Sequence, residues 1–325
     1  MRAVVWTRYG PPEGLEIQEV PTPSPRDNEV LIKIRATTAA AGDCELRSLN
    51  FSFGLRVLVR LLMGLSRPRR KILGQELAGE VEAVGRAVTL FGKGDRVFGT
   101  TGIGFGAYAE YICLPERSRG RALARMADDM TFVEAATVPT GGLEALHFLS
   151  RAGNLAGTKV LIIGAGGGIG TFAVQIAKHF GAEVTGVDTP AKLNPLLSIG
   201  ADHVIDCTRE DRTGSEERYD VIFDVVGQSP FSASLATLSR EGRYLLGNPR
   251  LSARLRGTLT SPTSRKKVIA GASTQRTEDL VILRGLIESG KIRAVVDSQF
   301  PLERIREAHR RVEAGLAFGK VAITL

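Results

Sequence analysis

A chain of 325 residues, 43% hydrophobic and 24% charged, is long enough for two domains and far from the compositions that stay disordered. Its formal charge of +8 is scattered apart from Arg67-Pro68-Arg69-Arg70-Lys71, where no aromatic residue is interleaved to stack on bases, so nucleic-acid binding is set aside. Cys44, Cys113 and Cys207 show no paired spacing, and no stretch reaches the roughly 20 apolar residues that span a bilayer, which excludes a disulfide scaffold, a cysteine zinc centre and stable membrane insertion.

The first residues, Met1-Arg2-Ala3-Val4-Val5-Trp6, enter an apolar strand with no signal-peptide pattern, and a reducing cytoplasm is the expected location. Residues 1–123 read as β-rich: Ala3–Thr7, Leu15–Glu19, Glu29–Ala36 and Leu77–Val84 alternate or run apolar, punctuated by Pro and Gly. Between them, Phe53–Lys71 places Leu55, Leu58, Leu61, Leu62 and other apolar residues ahead of the basic cluster. It reads as an amphipathic segment on an anionic membrane or as a lid over an apolar pocket, and the lid is favoured because apolar positions surround the helix.

From about residue 124 helices and strands alternate. Val133–Ser150, Gly170–Phe180 and Pro190–Ile199 read as helices; Lys159–Ile163, Glu183–Val187, His203–Ile205, Val221–Val226, Gly242–Leu246 and Val268–Gly271 read as strands. Six strands alternating with helices predict an α/β class with a doubly wound parallel sheet over 124–272. The tail, 273–325, holds helices at Glu278–Ser289 and Leu302–Gly315, a short strand near Ala294 and a terminal strand Gly319–Leu325.

The informative stretch is Val160-Leu161-Ile162-Ile163-Gly164-Ala165-Gly166-Gly167-Gly168-Ile169-Gly170. A buried strand runs into glycines where a tight turn is needed and a helix begins, so backbone N–H groups and the helix dipole face a dinucleotide's phosphates. The register is Ala165-x-Gly167-x-x-Gly170. Asp188 closes the next strand, 18 residues past Gly170, where a carboxylate accepts ribose hydroxyls and repels a 2′-phosphate. Lys192 is placed to pair with that phosphate instead, so NADH versus NADPH stays open.

The run Leu161-x-x-x-Ala165-Gly166-Gly167-Gly168-x-Gly170-x-x-x-x-Gln175-x-x-Lys178 resembles the signature of the zinc-independent quinone-oxidoreductase branch of the medium-chain dehydrogenase/reductase superfamily. Gly74-Gln75-Glu76-Leu77-Ala78-Gly79-Glu80-Val81, Gly94-Asp95-Arg96-Val97, Gly106-Ala107-Tyr108-Ala109-Glu110-Tyr111 and Gly200-Ala201-Asp202-His203-Val204-Ile205-Asp206 resemble further family landmarks, in order along the chain. The resemblance implies that 1–123 and 273–325 form one GroES-like β-barrel substrate domain, that 124–272 is the Rossmann domain, and that the protein is a homodimer joined through the edge strand near Val268–Gly271.

It further implies that the zinc-branch ligand positions hold Ala40, Gln75 and Thr140, none a good zinc ligand, so no zinc is expected. Without a Lewis acid the expected reaction is hydride transfer from NAD(P)H to an already activated acceptor, a quinone or an α,β-unsaturated carbonyl. The candidate cofactor contacts are Thr140, Ala165, Gly166, Gly167, Gly168, Ile169, Gly170, Asp188, Lys192, Val225 and Val226. Asp43 and Arg47, four apart, are candidates for proton delivery or for an i, i+4 ion pair. The rival reading is a low-turnover nucleotide sensor or scaffold, recruited to membranes.

Overall fold

The computed structural model describes residues 1–325 except 70, 210–216, 228, 248–264 and 272. The described residues form two compact units: Met1–Thr140 with Gln275–Gly285 and Ala294–Leu325, and Gly141–Thr274 with Leu286–Arg293.

In the first unit, strands β1 (Arg2–Trp6) and β2 (Leu15–Glu19) pair antiparallel. The main sheet is built from β3 (Glu29–Ala39), β4 (Glu76–Val84), β5 (Arg96–Thr100), β6 (Tyr111–Pro115), β7 (Ala122–Arg125), β14 (Val296–Pro301) and β15 (Lys320–Thr324). Its order is β14-β15-β3-β4-β5-β7, with β6 also on β3. The C-terminal residues enter it by pairing β15 antiparallel to β3, Ile323 opposite Thr37. Helices α1 (Ala41–Ser48) and α9 (Ile305–Glu313), the latter preceded in the chain by α8 (Thr277–Glu288), pack on a core of Trp6, Leu15, Leu46, Leu73, Tyr108, Leu302, Ile305 and Val321. The stripe Ile305, Ala308, His309, Val312 on α9 has the i, i+3, i+4, i+7 spacing of a core-facing face, with His309 as its polar member.

The second unit holds six parallel strands: β8 (Lys159–Ile163), β9 (Glu183–Asp188), β10 (His203–Asp206), β11 (Tyr219–Asp224), β12 (Leu238–Leu246) and β13 (Lys267–Ala270). Their order, β10-β9-β8-β11-β12-β13, reverses direction between β8 and β11, which is where an open α/β sheet binds its ligand, beyond the carboxyl ends of the strands. Register brings that edge together: Ile163 pairs with Val187 on one side and Asp224 on the other. Helices α5 (Gly170–His179), α6 (Pro190–Ser198) and α7 (Phe231–Thr237) cross between strands.

Several expected bounds shift. The helix expected over Val133–Ser150 is two, α3 (Phe132–Thr137) and α4 (Pro139–Arg151), because Pro139 has no N–H to continue the first and suits the start of the second. The strand expected to run to Val226 ends at Asp224, whose Oδ1 accepts the Gly227 N–H at 2.7 Å and turns the chain. The strand expected near Ala294 is β14, at Val296–Pro301; β12 starts four residues earlier than expected.

Helix α2 (Phe53–Met63) contributes no fully buried residue. Val59 and Met63 touch the core, while Arg56 and Arg60 line a cavity of about 680 Å³ whose walls include Cys44, Glu45, Asn50 and Glu313. The lining is mixed, since Tyr9, Leu49 and Val312 stand among these polar and charged side chains. Arg70, within the basic cluster, lies outside the described residues. Among the described residues no helix is long and apolar enough to cross a membrane.

Candidate functional site

The glycine loop joins β8 to α5. Its turn is held by Gly164 N–H and Ala165 N–H on Val187 O, and by Gly167 N–H on Gly164 O. Gly170 is required: a Cβ there would stand 2.2 Å from Gly164 O and 2.6 Å from Ala165 Cα, backbone that cannot step aside. The N–H groups of Gly168, Ile169 and Gly170 meet no protein acceptor among the described residues, as the first amides of a helix should when a ligand completes them. One residue further on, in the first turn of α5, Thr171 Oγ1 is buried and also without a partner. A buried hydroxyl left unbonded is costly unless something else reaches it. The loop therefore fits a dinucleotide's phosphates, and Thr171 is a member the sequence did not single out.

Asp188 and Lys192 close the far side of the loop. Asp188 Oδ2 accepts the Gly166 N–H and Oδ1 accepts the Thr189 N–H, both at 2.8 Å. Lys192 Nζ lies 3.5 Å from Asp188 Oδ1, and its stem passes so near Gly166 that a Cβ there would meet Lys192 Cδ at 2.6 Å. Val225 and Val226 follow β11 on the same edge, with Val226 packed against Gly164 and partly exposed.

In the first unit, Thr140 N–H donates to Glu76 Oε1 at 2.8 Å, and Glu76 Oε2 accepts from Lys320 Nζ at 2.6 Å and from the Thr38 hydroxyl. Lys320 Nζ also lies 2.8 Å from Thr140 Oγ1. Glu76 and Lys320 are both buried, and they are 244 residues apart in sequence. A fixed ammonium thus sits against Thr140, one of the three positions the resemblance pairs with zinc ligands. Among the described residues no group of three or more His, Cys, Asp or Glu side chains is arranged to hold a metal ion.

Asp43 and Arg47 are both completely buried, and the i, i+4 ion pair expected between them does not form. Asp43 instead accepts from Gly74 N–H at 3.2 Å and from the Tyr108 hydroxyl at 3.1 Å. Gly74 lets that ring approach, since a Cβ would meet Tyr108 Cδ1 at 2.5 Å. Arg47 donates to Gly10 O and to Glu313 on α9, and its Nε–H points at His309 Nδ1 at 3.4 Å. Because guanidinium only donates, Nδ1 is the acceptor and Nε2 carries the proton toward Tyr108 OH, 3.1 Å away. Cys44 Sγ completes the group, 3.3 Å from Nδ1.

Burial pushes the Asp43 carboxyl up to about 7, against its bonds to Gly74 and Tyr108 and with the help of the nearby Glu76 charge. Burial, and then the Arg47 charge, hold His309 down to about 3. The Cys44 thiol is pushed well up by burial and the carboxylates around it, so it is a protonated, inert group.

Residues 26–123 match the alcohol dehydrogenase GroES-like domain and residues 199–323 match the zinc-binding dehydrogenase domain. The chain is 31% identical to a quinone oxidoreductase of Lama guanicoe, covering 100% of this chain and 98% of the relative. It is 30% identical to an NADPH-dependent alkenal/one oxidoreductase of Arabidopsis thaliana, covering 99% of this chain and 79% of that one. The solved structure of a quinone oxidoreductase from Coxiella burnetii superposes with a TM-score of 0.88 at 27% identity, covering 100% and 99% of the two chains.

Proposed function

The chain belongs to the medium-chain dehydrogenase/reductase superfamily, in its quinone-oxidoreductase-like branch of pyridine-nucleotide-dependent oxidoreductases, and from that premise we propose zinc-independent reduction of a quinone or an activated α,β-unsaturated carbonyl. The observation that carries the zinc-free part is Lys320, an ammonium held by Glu76 against Thr140, itself one of the three positions the resemblance pairs with zinc ligands. A bound nicotinamide would supply the hydride, and water the proton that completes the reduction. We assign the Thr140 hydroxyl, backed by Lys320, to stabilise the negative charge that would develop on the acceptor oxygen, the role a metal otherwise fills. Glu76 keeps both groups aimed by holding the Thr140 amide and the ammonium at once. Asp43 and Arg47 take a positioning role, locking α1 to α9.

For the cofactor, Gly168–Gly170 and Thr171 would hold the phosphates, with Ala165, Gly166, Gly167, Val225 and Val226 shaping the cradle. Asp188 carries a carboxylate where a 2′-phosphate would stand, and Lys192 offsets it only across 3.5 Å, so NADH is the preferred form. Assembly as a homodimer through β13, an edge strand of the sheet among the described residues, belongs to the same reading; sedimentation at micromolar concentration tests it.

Steady-state oxidation of NADH and NADPH against a quinone and an enal panel decides the function. Turnover should be insensitive to chelators, favour NADH, and fall about a hundredfold in kcat for Lys320→Met. If cofactor binds but no acceptor raises turnover above background, the enzyme reading gives way to the sensor one. Loss of turnover on chelation would remove the zinc-free part alone.

A further inference from the structure

The most unusual surface of the first unit is the outer face of helix α2. Of the seventeen large apolar side chains exposed among the described residues, seven fall between Phe53 and Leu65. Helix α2 is docked by one edge only, Val59 and Met63, which are four apart and share a face. Arg56 and Arg60, also four apart, sit beside that edge, and Arg60 lies over the Tyr9 ring at 5.6 Å. The rest of the helix turns apolar groups to solvent: Phe53 is 82% exposed and Leu62 68%, with Leu58 and Leu61 between them and Leu65 continuing the patch past the helix end. A surface helix of a soluble protein normally has the reverse arrangement, polar face outward.

Charge identifies the occupant. Residues 51–71 hold six basic side chains, Arg56, Arg60, Arg67, Arg69, Arg70 and Lys71, and no acidic one, against a net charge of +8 for the whole chain. Arg67, Arg69 and Lys71 are exposed beside the patch. A second copy of this chain would bring the same six cations against these six, a repulsion that an apolar contact would have to overcome. An apolar face rimmed by cations is instead the signature of a helix lying in the interface of an anionic bilayer.

We propose that α2 with its following basic segment is a peripheral membrane anchor, which lays Phe53, Leu58, Leu61, Leu62 and Leu65 into the headgroup boundary of an anionic lipid surface while Arg67, Arg69 and Lys71 contact the lipid charges. The helix of 11 residues rests on the surface and does not span it. The anchor stands independently of the acceptor the enzyme uses, because the residues concerned hold neither the glycine loop nor the Glu76–Lys320–Thr140 group.

Flotation of the full-length protein with lipid vesicles, in the absence of cofactor and acceptor, tests it. Vesicles about one-third phosphatidylglycerol should carry the protein at low salt at least tenfold more than phosphatidylcholine vesicles, and added salt should release it. Leu58→Glu combined with Leu62→Glu, both at solvent-exposed positions, should lower flotation at least tenfold while leaving thermal unfolding and NADH oxidation with a water-soluble quinone unchanged. No flotation on anionic vesicles, equal flotation on both vesicle types, or equal flotation of the double variant overturns the proposal. A stable dimer that the double variant dissociates also overturns it, by assigning the face to a second copy of the chain.

Discussion

Two groups of buried polar atoms behave in opposite ways. In the first unit, the side chains of Asp43, Arg47, Tyr108 and His309 are removed from water and bonded to one another, to the backbone of Gly10 and Gly74, and to Glu313. In the second, the amides of Gly168, Ile169 and Gly170 and the hydroxyl of Thr171 have no protein partner among the described residues. Both arrangements place polar groups where desolvation is costly, but only the first recovers that cost within the chain. A closed network holds elements in place. An open one is waiting for a ligand, and between these two groups that difference separates scaffold from site, since Asp43, Arg47 and His309 are in the scaffold and the glycines are in the site.

The largest effect should come from opening the closed network. Arg47→Ala leaves the Gly10 carbonyl and His309 Nδ1 without their donor and empties the space of a fully buried side chain, while Glu313, 34% exposed, can turn to water, so a loss of about 3 kcal/mol is expected. At roughly 2–4 °C per kcal/mol for a chain of this size, calorimetry should show the first unit melting about 10 °C lower. NADH affinity, measured well below that transition, should change little; a large fall in affinity would place Arg47 in the cofactor site after all.

Next in size is the open network. Gly170→Ala drives a methyl into the Gly164 carbonyl and must spread the loop, so NADH affinity should fall about a hundredfold, near 2.7 kcal/mol. Fluorescence titration measures it, and an unchanged dissociation constant would mean that the phosphates lie elsewhere.

The closed network also makes a pH prediction. Between the ordinary carboxylate value of 3.8 and about 6.5, the unfolded chain carries a proton on His309 and not on Asp43, while the native protein carries it on Asp43 and not on His309. The proton counts match, so these two groups leave stability flat across that window. Removing either one exposes the other. In Asp43→Asn the unfolded state binds the extra proton, and stability should fall as pH drops from about 6.5 toward 3, by about 1.4 kcal/mol per pH unit at most. In His309→Gln the native state binds it, and stability should instead fall as pH rises from about 4 to 7. Urea midpoints against pH for the three proteins read this directly. If both variants track the parent, the paired-titration account is wrong.

The contrast also marks what the sequence could reveal. The parallel sheet was legible because β8 is a run of buried apolar residues ending in glycines, and because the loop and Asp188 act within a span of 25 residues. The Asp43–Arg47 spacing was legible too, but its meaning was not: Tyr108 and Glu313, 65 and 266 residues away, outbid the local pairing once α9 docks. The Glu76–Lys320 pair is invisible for the same reason, with 244 residues between its members. His309 did leave a trace, as the polar member of an apolar stripe on α9. Thr171 left none, since a threonine in the first turn of a helix is unremarkable until its hydroxyl is seen to be buried and unmatched.

That hydroxyl gives the smallest effect and the sharpest discrimination. Thr171→Val replaces it with a methyl of nearly the same shape, which removes an unbonded buried polar group. The cofactor-free protein should therefore gain stability, by about 1 kcal/mol, because an unsatisfied buried group carries a desolvation cost of that order. With NADH present the hydroxyl is predicted to be bonded, and the same substitution should weaken binding by about 0.5–1.5 kcal/mol, a factor of roughly two to twelve. The sign of the stability change should thus shrink or reverse when saturating NADH is added, as thermal shift with and without the cofactor would show. A purely structural threonine would shift both states alike, and an equal gain with and without NADH would remove Thr171 from the cofactor site.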